Sequence, residues 1–283
     1  MKDTDVFFFV YFSCRQHFSY LKASVQSLAL LNLTHRCRVC LFVDSQDYLD
    51  SCQLEELYKL PIKIDAVPWN RVTGHGVQTI YNELRAMRQV VFCELSCDWI
   101  AKVDSDVLFI GSRVFDVVSR SRATLLGQRE SEWAPLTYTQ GGCYFIKADW
   151  LRFQVEFSID AVRASSDVSL SVLNRRAVEL SRKPIPECPE DLAVYDLVCG
   201  EGGRIAYSSY YVPTWQIPRL HVKGRHLRLQ YVGAGRSRLS LSQFAGVLIR
   251  DLLLRIGHYS VVHFQYHKDL MMPVSRDLSQ LGS

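Results

Sequence analysis

At 283 residues, 48% of them hydrophobic, and with a formal net charge of +4, the chain can bury a large core and is too weakly charged to read as a nucleic-acid binder. Its positive charge is uneven, because no carboxylate lies between Glu201 and Asp251 while Arg204, Arg219, Lys223, Arg225 and Arg228 lead a basic block there. The apolar run from Val6 to Phe12 is too short for a secretion signal and no stretch approaches a membrane span. The nine cysteines are therefore expected as thiols in a reducing cytoplasm.

The run Val6 to Phe12 predicts a strand buried on both faces, ending at Ser13-Cys14-Arg15. Phe18, Leu21, Val25, Leu28 and Ala29 then recur with the helical period, closed by Asn32-Leu33-Thr34. Val39 to Val43 predicts the second strand, stopping at Asp44. Cys37 and Cys40, three apart in extended backbone, point to opposite faces and make a poor metal pair. Leu54, Leu57 and Leu60 predict a short helix before Pro61, and Ile62 to Val67 a third strand. Val77, Ile80, Leu84, Met87 and Val91 mark a long helix leading to a fourth strand. This βαβαβαβ order is an α/β pattern, with a mixed, mostly parallel sheet flanked by helices.

Trp99 to Ile110 reads as one buried strand interrupted by Asp104, Ser105 and Asp106. Alternation in an extended strand puts Asp104 and Asp106 on one face and turns Ser105 away. Two adjacent carboxylates repel and resist desolvation, and a hard divalent cation relieves both problems. A metal site is the simplest reading. Ligands in such sheets bind beyond the carboxyl ends of the strands, so Tyr11, Ser13, Asp44 and the two acids are expected to line one crevice. The chain has neither a GxGxxG after its first strand nor a GxxxxGK[ST].

Further along, Thr124 to Gly127 suggests a strand, and Gly141-Gly142 opens an apolar strand running to Lys147. Pro189 begins a helix over Glu190 to Val198. Tyr207 to Trp215 is an aromatic strand with its loop, Ser240 to Ile256 an amphipathic helix, and Val261 to Lys268 a short apolar strand that delivers His263.

Taken together, the strand-helix order, Val103-Asp104-Ser105-Asp106-Val107-Leu108-Phe109, the Gly141-Gly142 strand, Pro189-Glu190-Asp191, the aromatic segment Tyr211 to Trp215, and His263-Phe264 with Lys268 resemble the GT-A class of nucleotide-sugar-dependent glycosyltransferases. The carboxy-terminal histidine is similar to that of the glycogenin-like branch, and the glycine pair to inverting branches. This resemblance implies a Rossmann-like sheet with a smaller acceptor-side subregion, residues 1–110 forming the nucleotide-sugar half and 111–283 the acceptor half. It implies that Asp104, Asp106 and His263 hold Mn²⁺ or Mg²⁺, with the imidazole nitrogen tilting the choice toward manganese. Tyr11, Ser13, Asp44 and Asp104, with Gly141 and Gly142, would contact the nucleotide-diphosphate sugar, and Lys268 its diphosphate. Asp191, with Glu190 beside it, would bind the acceptor hydroxyl or serve as general base. The acceptor implied is a glycan or a lipid-linked sugar, and the basic block beside an amphipathic helix suits peripheral contact with an anionic membrane surface at the inner face. Two other functions fit the same pattern: a nucleotidyltransferase making the sugar nucleotide, and a catalytically silent glycan-binding protein.

Overall fold

The computed structural model describes residues 5–31, 33, 35–70, 76–130, 138–154, 158–212, 220–223, 226–229, 258–264 and 268–281. The first half runs β1 (Phe7–Ser13), α1 (Phe18–Ala29), β2 (Cys37–Asp44), α2 (Ser51–Tyr58), β3 (Lys63–Trp69), α3 (Val77–Cys93), β4 (Trp99–Val103) and β5 (Val107–Phe109). After α4 (Arg113–Arg120) come β6 (Leu125–Glu130), β7 (Tyr138–Lys147), α5 (Ile159–Glu179), α6 (Glu190–Gly200), β8 (Ile205–Tyr207) and β9 (Tyr211–Val212). The antiparallel pair β10 (Leu220–Lys223) and β11 (His226–Leu229), then β12 (Val261–His263) and α7 (Lys268–Leu281), complete the described chain.

Seven strands form the main sheet in the order β3-β2-β1-β4-β7-β6-β8. Every neighbouring pair is parallel except those made by β7, which runs antiparallel to both β4 and β6. The apolar first strand explains its own central place. Phe7, Phe9 and Tyr11 face one core with α1, α2 and α4, through Leu21, Val25, Leu57, Val114 and Phe115. Phe8 and Val10 face the other with α3, α5 and α6, through Ile80, Leu84, Met87, Val162 and Val194. Cys37 and Cys40 fall into opposite cores, as alternation requires, and none of the nine cysteines, all among the described residues, is in a disulfide.

Two expected elements differ in form. The stretch Trp99 to Ile110 is not one strand: β4 stays between β1 and β7 only as far as Val103, and the chain then turns at residues 104–106. The Val107 amide closes this turn on the Asp104 carbonyl at 3.2 Å, and β5 departs to pair with β12. Gly141 and Gly142 lie inside β7 rather than at its start, because pairing with β6 extends the strand back to Tyr138. The amphipathic segment Ser240 to Ile256 lies outside the described residues, as do most of the basic block and residues 213–215 of the aromatic segment. No helix among the described residues is long and apolar enough to cross a membrane.

The aromatic centre of the first core generates a test of this packing. Phe9 is fully buried and meets the rings of Phe109, Phe115 and Phe145 edge-on at 5.4 to 6.3 Å. Phe9→Ala is expected to cost about 3–5 kcal/mol of stability, measured by urea denaturation, because rings from three other elements wall the cavity it would leave.

Candidate functional site

The end of β4 sets the site. Where the chain turns at 104–106, the Asp104 amide donates to the Gly142 carbonyl at 2.8 Å and the Asp106 carbonyl accepts from the Phe264 amide at 2.9 Å. Antiparallel pairing places His263 opposite Val107, so a residue from far along the chain arrives beside the two acids. His263 Nε2 lies 3.2 Å from Asp106 Oδ1 and 3.9 Å from Asp104 Oδ2. Ligand atoms of all three residues fall within 4.8 Å of one another. Asp106 and His263 are buried, whereas the Asp104 side chain is 40% exposed and forms the open edge. The acids converge through a turn, not through strand alternation as the sequence predicts. Ser105 is buried, and its hydroxyl donates to the Ser13 hydroxyl at 3.3 Å.

This donor set fits a divalent cation. Two carboxylate oxygens and one imidazole nitrogen supply a mixed oxygen and nitrogen shell, and the exposed edge at Asp104 leaves room for further ligands. Gly142 explains how the histidine fits. A side chain there would collide with the His263 ring through Nδ1, Cε1 and Cγ, so only glycine lets β7 pass.

Behind Asp104 stands a buried ionic cluster. The Lys102 ammonium, whose side chain is 6% exposed, donates to Asp104 Oδ1 at 2.8 Å, Glu190 Oε2 at 2.8 Å and the Gly141 carbonyl at 3.0 Å. Burial opposes its charge, but Asp104, Glu190 and Glu83 outweigh that and hold its pKa above the usual lysine range. The Tyr144 hydroxyl donates to the other Glu190 oxygen at 2.5 Å. Glu83, on α3, faces the same cluster. Burial and the Glu190 charge push its carboxyl well above the ordinary range despite Lys102, and a side-chain hydrogen bond with Glu190 adds to the shift.

Glu83, Lys102 and Tyr144 are absent from the residues singled out in the sequence, although two carried a signal. Lys102 interrupts a strand that is otherwise apolar, and Glu83 sits three residues after Ile80 on the inward stripe of α3.

The remaining expected residues divide. Asp191 opens α6 beside Glu190, and its carboxylate accepts from the Gly141 amide at 3.2 Å and the Leu192 amide at 3.0 Å. Burial first, and then the Glu190 charge, raise it to about 7, against the opposing pull of Lys102 and these two amides. Both Glu190 carboxylate oxygens turn inward, one accepting from Lys102 and the other from Tyr144. Tyr11 is fully buried, with its hydroxyl 2.9 Å from that of Ser24 between β1 and α1. Ser13 and Asp44 end the neighbouring parallel strands β1 and β2 at the same edge as Asp104, and Asp44 Oδ1 accepts from the Gln46 amide at 2.9 Å. The Lys268 side chain lies outside the described residues, although its backbone begins α7.

No family model matches the chain, and no curated protein sequence matches it. Solved structures do match its fold. The galactosyltransferase LgtC, crystallised with donor and acceptor sugar analogs, has a TM-score of 0.54 at 12% identity, covering 97% of this chain and 95% of that one. An active-site mutant of LgtC scores 0.53, also at 12% identity, covering 97% and 94%. The glycosyltransferase GlyE of Streptococcus pneumoniae scores 0.51 at 12% identity, covering 98% of this chain and 62% of that one. The mostly parallel seven-stranded sheet between helices matches the GT-A glycosyltransferase fold of these neighbours.

The raised Asp191 carboxyl has a consequence for stability. The folded state holds its proton more tightly than the unfolded state, so stability is full below the ordinary value of 3.8 and falls as pH rises toward about 7. Asp191→Asn is expected to remove that slope and to leave the variant more stable than the parent at about pH 8, measured by urea denaturation across pH.

Proposed function

We propose that this chain is a metal-dependent glycosyltransferase that moves a sugar from a nucleotide-diphosphate donor to a glycan or lipid-linked acceptor. The observation that carries the reading is the convergence of Asp104, Asp106 and His263 at the carboxyl edge of a GT-A sheet. That edge is where ligands of open α/β sheets bind. A likeness to a galactosyltransferase crystallised with donor and acceptor analogs supports it.

In this reading Asp104, Asp106 and His263 hold a divalent cation, with manganese favoured by the imidazole donor. A bound cation would supply Lewis-acid stabilisation of the charge that grows on the departing diphosphate. Ser13 and Asp44 are assigned to the nucleoside, and Gly141 and Gly142, by the resemblance, to the sugar side of the site. Lys268 is assigned to the diphosphate by family resemblance alone. The first 110 residues form the donor half and the rest the acceptor half. Asp191, held near neutrality beside the Gly141 amide, can accept a proton from an acceptor hydroxyl at physiological pH.

Calorimetric titration with a panel of nucleoside diphosphates, with Mn²⁺ or with EDTA, tests the reading. One nucleotide is expected to bind only with manganese, and binding should vanish in Asp104→Ala/Asp106→Ala. Failure of every nucleotide to bind would overturn it. Once a donor and acceptor are identified, Asp191→Asn should retain donor affinity while transfer slows by about two orders of magnitude or more; unchanged transfer removes it from the reaction.

A further inference from the structure

Lys102 has three N–H donors and three acceptors, each from a different part of the site: the Asp104 carboxylate after β4, the Gly141 carbonyl in β7 and the Glu190 carboxylate at the start of α6. These contacts join the metal-binding turn to the segment that carries Asp191. They also divide the work of the Asp104 carboxylate. Oδ1 is held by the ammonium, while Oδ2 is the oxygen 3.9 Å from His263 Nε2. Glu190 is fixed in turn by the Tyr144 hydroxyl, so the lysine is anchored from behind. The Gly141 residue whose carbonyl binds Lys102 also donates its amide to Asp191.

We infer that Lys102 is a positioning residue, which presents Asp104 Oδ2 to the metal and through Gly141 and Glu190 keeps Asp191 in register with it. This inference rests on the metal-site reading above, and it assigns the lysine no contact with substrate. Groups that hydrogen-bond to metal ligands fix their orientation, and losing one typically weakens metal binding by about 10- to 100-fold. The opposing effect is the positive charge of the ammonium, which repels a cation. That charge is already offset by the two carboxylates the ammonium binds, those of Asp104 and Glu190, whereas the orientation of the Asp104 carboxylate has no substitute.

The experiment is a Mn²⁺ titration followed by electron paramagnetic resonance, on the parent and on folded Lys102→Met, which keeps the length of the side chain without charge or donors. Affinity in the variant is expected to fall by about tenfold or more. A purely structural role would lower stability and leave the manganese affinity of the folded protein unchanged. Removing one partner of a buried ion pair can prevent folding, so Lys102→Met/Glu190→Gln is measured as well. It removes charge from both partners and must show the same loss of affinity. Equal or tighter manganese binding in either folded variant would overturn the positioning role while the metal site stands. A parent that binds no manganese would overturn the metal site, and the inference with it.

Discussion

Concentrated negative charge is the constraint around which this site is built. Glu83, Asp104, Asp106, Glu190 and Asp191 converge from α3, the turn after β4 and the start of α6. An ion taken out of water costs several kcal/mol even after the protein relaxes, and unpaired neighbouring carboxylates would add their mutual repulsion. Three devices absorb that cost. Lys102 supplies a buried positive charge that meets three oxygens at once. Glu83 and Asp191 are driven toward their neutral forms. Asp104, Asp106 and His263 form an array whose chemistry suits a divalent cation.

The backbone makes that concentration possible by leaving one sheet for another. β4 ends its parallel pairing at Val103, and within three residues the chain joins β12 in a separate three-stranded sheet. The acids occupy the turn between the two sheets, tied to β7 through the Asp104 amide and to the residue after β12 through the Asp106 carbonyl. His263 ends the strand that pairs with β5, and Gly142 gives its ring space on the other side. The close contact with Gly142 falls on the Nδ1 side of the ring, leaving Nε2 toward the aspartates.

Much of the fold was legible because its strands and helices follow simple patterns. The uninterrupted apolar run of β1 announces burial on both faces, and the spacing of Ile80, Leu84, Met87 and Val91 announces α3. α5 was not legible. Its inward positions include Ser166 and Ser169, whose hydroxyls bond to backbone carbonyls of α5 and α6, so the buried stripe carries little hydrophobic signal. Asp104, Asp106 and His263 stood out because polar groups within apolar strands demand an explanation. The position of Tyr11 near a strand end does not say that its ring turns toward α1, and the adjacency of Glu190 and Asp191 does not say that one carboxylate turns to Lys102 and the other to the Gly141 amide.

The pairing of β12 with β5 also bears on how the protein acquires its site. Asp106 and His263 are separated by more than half of the chain, whereas β1, β2, β3 and β4 form a nearly local parallel array. During synthesis that array can assemble while the carboxy-terminal strand is still to be made. Closing the long loop to β12 carries a larger entropic cost, repaid only when Val261 and Val262 dock into the core. The sheet is thus expected to exist before the metal ligands meet, and a nascent or truncated chain ending before Val261 would keep its two acids side by side without the histidine.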